Sequence, residues 1–190
     1  MKHPAVDAVS PWVARFAPLA PAGEVLDLAC GGGRHARLFA ARGHPVLALD
    51  RDPAALGAAA GPGITTMAHD LEAPGAAWPF AQGRFAAIVV TNYLHRPLFD
   101  HLVKSLAPNG VLIYETFAEG NGQFGKPSNP AFLLAPGELL QVAARGGLQV
   151  FAFEDGRVDR PKPALVQRLC AGGPLFNKIE ARLDHLSGQE

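Results

Sequence analysis

The chain is short of several things, and each shortage excludes something. It has two cysteines, two methionines, two tyrosines and two tryptophans among 190 residues. Cys30 and Cys170 are too few for a disulfide framework and are not in CxxC spacing, so both are expected to be buried thiols and no metal site is expected. Charge of one sign is also missing. Lys plus Arg and Asp plus Glu both number 17, so no overall positive field draws in phosphate backbones, and nucleic acid is not expected as a partner. No apolar run approaches the roughly 20 residues that span a bilayer. The opening "MKHPAVDAVSPW" lacks the continuous apolar stretch of a signal peptide. A cytoplasmic location away from membranes is therefore expected. Oligomeric state leaves no mark in the sequence.

What is abundant is glycine (21), proline (17) and alanine, with 48% hydrophobic residues overall. The alanine-rich stretches keep helical spacing and aliphatic runs fall between them, a globular pattern rather than a disordered one. The length suits one domain with a sizeable core. The expected organisation is a single domain over residues 1–190, with a helical N-terminal segment (1–22), a core (23–173) and a helical C-terminal tail (174–190).

Strand and helix signals alternate through that core. Strands are predicted at 24–29, 45–50, 63–69, 84–92 and 110–117. Helices are predicted at 33–43, from Pro53 behind its cap Asp52, over "FDHLVKSLA", and at 136–147. The region 71–84 reads as loop with room for one helical turn. "LQVFAFEDG" and "PALVQRLCAG" follow as an antiparallel pair. Such alternation predicts an α/β fold, a three-layer Rossmann-like sandwich with a mostly parallel seven-stranded sheet and an antiparallel C-terminal strand. Ligands in sheets of this kind bind at the carboxyl ends of the strands, where strand order reverses.

"LDLACGGGRHA" (26–36) sets Asp27 in an apolar strand and follows it with three glycines. Glycines after a strand let the backbone turn sharply and bring a ligand against the next helix N-terminus. Gly31, Gly33 and Ala36 satisfy the G-x-G-x-x-A variant of the dinucleotide fingerprint, which keeps a nicotinamide or flavin enzyme open. Asp27 weighs against a pyrophosphate, whose negative charge a neighbouring carboxylate repels. A ligand carrying an ammonium group is better suited.

The stretch resembles the first motif of the class I S-adenosylmethionine-dependent methyltransferases, through Asp27, Cys30, Gly31 and Gly33, with Ala29 where glycine is usual. "ALDRDPAAL" is similar to the family's second strand ending in an acid, and "HDLEAPGAAWPF" to its adenine-side loop. "LVKSLAPNGVLIYETF" is similar to a later L-x-P-G-G-x-L region, with Asn109 in place of the first glycine. In size and layout the chain is similar to compact bacterial enzymes of the tellurite- and thiopurine-methylating kind.

The resemblance implies S-adenosyl-L-methionine as cofactor. Asp27, Ala29, Gly31 and Gly33 would hold its methionine end, Asp50 the ribose, and Asp70 and Leu71 the adenine, with Arg51 and Asn92 also expected among the cofactor-binding residues. Tyr93, Arg96 and Glu115 are expected to face the methyl acceptor, with His95 as the expected proton acceptor. The stretch 117–134 is longer than most connections in such domains and is expected to recognise the acceptor through Phe124 and Lys126. Trp12 and Phe16 are expected either to pack or to form a lid. With little length left for a recognition domain, a small-molecule acceptor is expected. "NYLH" (92–95) stands where an N-P-P-Y motif for methylating base or glutamine amino groups would be. A protein that binds the cofactor without catalysis stays open.

Overall fold

Alternate residues of a strand face opposite sides of its sheet, so a strand apolar at every position asks for cover on both faces. The inner strands here are of that kind. The computed structural model of the chain describes residues 8–183. Its strands are β1 (Val25–Leu28), β2 (Val46–Asp50), β3 (Ile64–Ala68), β4 (Phe85–Thr91), β5 (Leu106–Phe117), β6 (Gln149–Val158) and β7 (Ala164–Gly172). They form one sheet in the order β3-β2-β1-β4-β5-β7-β6. The first five are parallel neighbours, and β7 runs antiparallel to both β5 and β6.

Helices cover both faces. Leu26, Leu28, Ile88, Val90, Leu112 and Tyr114 pack on one side with residues of α4 (Phe99–Ser105) and α5 (Glu138–Arg145). Val25, Val89, Ile113 and Cys170 pack on the other with α1 (Pro11–Phe16), α2 (Arg34–Ala41) and α3 (Pro53–Ala59). The three-layer α/β sandwich and its antiparallel C-terminal strands are as the sequence predicts. The order reverses between β1 and β4, placing the ligand-binding switch point at the carboxyl ends of those two strands.

The differences have local causes. α4 ends at Ser105, and β5 begins at Leu106, four residues before the expected start. Pro108 cannot continue a helix and pushes the residue before it towards extended backbone. Residues 71–84 hold turns and no helix. The expected helical tail is corrected where it is described: residues 174–183 contain only a 3-10 turn, Lys178–Glu180, with Leu175 and Ile179 exposed. Residues 184–190 of that tail and 1–7 of the N-terminal segment lie outside the described part. Among the described residues no helix is long and apolar enough to cross a membrane, and no group of three or more His, Cys, Asp or Glu is placed to hold a metal ion.

Trp12 and Phe16 pack edge to face, 4.6 Å between ring centroids, and both are buried in the core on the α1 side. The Trp12 indole also donates to the Leu169 carbonyl at 3.3 Å. Of the two expectations for this stripe, the structure shows packing. Cys30 and Cys170 are free and buried; burial, and then the charges of Asp27 and Asp50, push the Cys30 thiol up to about 12.

Candidate functional site

Where β1 ends, the backbone turns left-handed at Ala29 (φ 53°), Gly31 (φ 52°) and Gly33 (φ 73°). A residue with a Cβ is disfavoured there by about 1–2 kcal/mol, which is why glycine suits the position that Ala29 holds. The glycines differ in purpose. A Cβ added at Gly31 or Gly32 would meet nothing within 4 Å, so the loop leaves an open cradle. One added at Gly33 would lie 2.5 Å from the Ala59 Cβ and 2.7 Å from its Cα, so Gly33 is required by the close approach of α3.

Asp27 lies between Leu26 and Leu28 in β1, and strand alternation turns it to the α2 side. The N-cap of α2 is Gly33, which has no side chain to offer. Asp27 fills that role, its Oδ2 accepting from the Ala36 amide at 2.8 Å. Burial wins over this hydrogen bond and over the nearby Arg34, and raises the Asp27 carboxyl to about 7.

Asp50, at the end of β2, accepts from the Gly31 amide at 2.8 Å and from the Asp52 amide at 3.0 Å. Asp52 caps α3 by accepting from Ala54. A carboxylate has about four lone-pair sites, so Asp50 keeps acceptor capacity towards the cleft. It lines a cavity of about 220 Å³ whose other polar walls are Arg51, His69, Asp70 and Glu72. Leu28, Leu49, Leu71 and Tyr93 supply its apolar surface. Asp70 Oδ1 accepts from the Glu72 amide at 2.9 Å, fixing the turn after β3. Ala29, Asp50, Arg51, Asp70 and Leu71 are thus brought together, with the Gly31 amide bonded to one of them.

A second cavity of about 220 Å³ adjoins the first and shares Glu72 and Tyr93 with it. Leu94, Phe117, Pro127 and Phe132 form its apolar wall, and Asn92 and Thr116 add polar groups. Asn92 is left-handed (φ 55°), a conformation asparagine tolerates better than most residues. Burial first, and the charge of the nearby Glu72 carboxylate second, push the Tyr93 phenol well above the usual range.

Other expected acceptor contacts are engaged elsewhere. Glu115 is buried, accepts from the Ser10 hydroxyl at 3.0 Å and is ion-paired with Arg168, which also reaches Glu154 at 3.1 Å. Arg96 makes a bidentate pair with Glu138 (2.7 and 2.9 Å) and donates to the carbonyls of Ala131 and Leu133. It therefore ties the segment after β4 to the segment after β5. Glu138 would be raised by burial, but Arg96 outweighs that and holds it low. Phe124 lies under the Arg157 guanidinium, 5.3 Å from its ring centroid, and Lys126 is exposed. His95, Arg96, Glu115, Phe124 and Lys126 line neither cavity.

Sequence reasoning missed Glu72, which stands two residues after Asp70 in the quoted "HDLEAP", and the buried His35. His35 Nε2 accepts from the Ser10 amide at 3.1 Å, and its Nδ1 is 3.4 Å from the Thr91 hydroxyl. Burial, then Arg34, hold His35 down to about 3, so it is neutral. Its place in α2 four residues before buried Phe39 was the available signal.

Among known families, that of the methyltransferase domain matches residues 1–129. The chain belongs to that family. Its methyl donor is S-adenosylmethionine. The fold of this methyltransferase is shared with TehB from Haemophilus influenzae (TM-score 0.70, 16% identity, 87% of this chain and 62% of that one). It is shared too with S-adenosylmethionine-dependent methyltransferases from Mesorhizobium loti (0.68, 20% identity, 88% and 99%) and Methanosarcina mazei (0.66, 13% identity, 87% and 98%). This methyltransferase thus spans just under two thirds of the TehB chain. No curated protein sequence matches it.

The donor's chemistry fits the residues present. The cradle over Gly31 and Gly32 is open to a ligand, and the carboxylates of Asp50 and Asp70 line an adjoining cavity suited to hydroxyl and amino donors. Buried Asp27 has a backbone amide as its hydrogen-bond partner and gains from a cation brought to the loop.

Proposed function

We propose that this methyltransferase transfers the methyl group to a small molecule seated in the second cavity, by in-line displacement. The supporting observation is the adjacency of the two cavities across the β1/β4 switch point, with Glu72 and Tyr93 in the wall of both. In this reading Asp27 and the Ala29–Gly33 loop hold the methionine end of the cofactor. Asp50 and Arg51 hold the ribose, and Asp70 and Leu71 the adenine. When bound, S-adenosylmethionine supplies a methyl group on a sulfonium, open to displacement by a nucleophile.

The chain's own contribution is alignment. Effective molarities of about 10⁵–10⁸ M, roughly 7–11 kcal/mol, come from positioning two reactants alone. Asn92 and Thr116 offer polar groups to orient the acceptor, and Leu94, Phe117 and Phe132 exclude water around it. His95 lies outside both cavities, so the reading assigns it no proton. At about 220 Å³ the cavity lies below the roughly 300–1,000 Å³ of pockets that hold drug-sized ligands.

Two measurements test this. Calorimetry with S-adenosylhomocysteine should show binding, weakened in Asp50→Ala by about 1.5–3 kcal/mol, the loss of hydrogen bonds to a charged acceptor. An unchanged affinity in the folded variant removes Asp50 from the ribose. Transfer of labelled methyl from the donor into the small-molecule fraction of a cell extract should separate an enzyme from a protein that only binds the cofactor.

A further inference from the structure

The second cavity has a sign. Glu72 and Tyr93 are the titratable groups among its lining residues. Of the cations around it, Arg51 lines the first cavity and acts on Tyr93 from there without lining the second. Arg96 is engaged by Glu138 and two carbonyls, Arg157 by Asp159, and exposed Lys126 stands beside Pro127 without lining the cavity. An anion entering would meet a carboxylate and no lining cation, and like charges brought together oppose binding. A hydrogen-bond donor or a cation meets Glu72, the Asn92 amide and the Thr116 hydroxyl instead.

The remaining wall is aromatic. Phe117, Tyr93 and Phe132 surround the space, and Phe132 is 48% exposed, a large apolar group left uncovered at the cavity. Rings of this kind stack on flat apolar molecules and attract cations to their faces. Such walls offer nothing to a hydrated oxyanion.

We infer that the second cavity binds a compact aromatic molecule whose polar end donates hydrogen bonds, uncharged or positively charged, and that it rejects anions. This rests on the proposal that the cavity is the acceptor site. It also separates this protein from tellurite-type acceptors, which are oxyanions, despite the similarity of layout.

Three probes with one skeleton test it: 2-phenylethylamine, 2-phenylethanol and phenylacetate, titrated calorimetrically into protein saturated with S-adenosylhomocysteine. The amine should bind tightest, the alcohol next, and phenylacetate about tenfold or more weaker than the amine. Glu72→Gln should shrink the ratio of amine to phenylacetate affinity by about fivefold or more, since it removes the charge and keeps the shape. Phe132→Ala should weaken the amine and the alcohol together, locating them at this wall. Phenylacetate binding as tightly as the amine overturns the inference, as does a Glu72→Gln ratio that does not change or a protein that takes up none of the three. If S-adenosylhomocysteine itself fails to bind, the donor assignment falls. The same three titrations on the unliganded protein then still decide the sign of the cavity.

Discussion

Two buried acids at the carboxyl edge of one sheet, on the same face, have opposite surroundings. Asp27, next to last in β1, has a backbone amide as its hydrogen-bond partner, and burial raises it to about 7. Glu115, near the end of β5, has Arg168 beside it and the Ser10 hydroxyl on its other oxygen. Near Asp27 the glycine cradle is open; around Glu115 the space is closed by α1 and by Arg168. A charge matched from within the fold is part of the scaffold. Asp27, which burial raises in spite of the nearby Arg34 and Arg37, gains from a further cation, and the first cavity lies at the β1–β2–β3 half of the edge.

The comparison breaks most visibly at Arg168. Replacing it with Ala leaves Glu115 largely buried without its cation, which costs about 3–5 kcal/mol for a buried pair. Denaturant unfolding should show that loss. Affinity for S-adenosylhomocysteine in the folded fraction should stay near wild type. A variant that kept its stability and lost the ligand would move Glu115 to the functional side.

Asp27→Asn should do the reverse. The folded-state carboxyl is raised from 3.8 to about 7, so its contribution to stability is full below pH 3.8 and lost as pH rises through about 7. Asparagine is neutral and can still accept from the Ala36 amide. Above pH 7 the variant should be more stable than wild type, by at most about 4 kcal/mol. Its affinity for S-adenosylhomocysteine should fall by about 1.5–3 kcal/mol, the value of a charged hydrogen bond. Wild-type affinity should also weaken below pH 7, as Asp27 becomes protonated, and that slope should vanish in the variant. His35 has the opposite sign. Lowered to about 3 from 6.5, it contributes stability above pH 6.5 that is lost as pH falls towards 3. The acid side of the unfolding profile should therefore carry His35 together with Glu138, which Arg96 holds low, and the Asp27 variant should leave that side unchanged.

Gly31→Ala tests the open half more gently. Its φ of 52° imposes about 1–2 kcal/mol of strain on any residue with a Cβ, and the added methyl enters the cradle without touching protein. Folding should survive while ligand affinity drops. If affinity is unchanged, the cradle is a turn and nothing more.

How much of this was legible follows from which interactions are local. Most of the β1 to β5 core could be seen because its strands carry aliphatic runs between turn residues, β3 with its two threonines being the exception. Asp27 stood out because Leu26 and Leu28 flank it, and the glycine loop because three glycines adjoin a strand. Gly33 could not be separated from Gly31, since the difference is Ala59 on another helix. Glu115 looked like a site residue because nothing near it in sequence announces Arg168, 53 positions away. The second cavity draws on Glu72, residues 92–94, 116–117 and 127–132, and only the folded sheet brings these four segments together.

The loop after β5 gives the smallest expected effect and the finest test of which residues matter. Its length and its mixture of aromatic and polar groups point to Phe124 and Lys126 as contacts, but a loop meets its ligand only through the residues it turns inward. Here the second cavity is lined by Phe117 at the end of β5 and, from the loop, by Pro127 and Phe132. Phe124 lies against Arg157 with 37% of its surface exposed, and Lys126 is exposed. Replacing both with Ala therefore removes one exposed cation–π contact, worth about 0.5–1 kcal/mol at an exposed site. Stability should fall by no more than that, and acceptor turnover should stay within about twofold of wild type, a change under 0.5 kcal/mol. A tenfold loss of turnover with donor affinity intact would show that the loop reshapes on binding and carries Phe124 and Lys126 onto the acceptor.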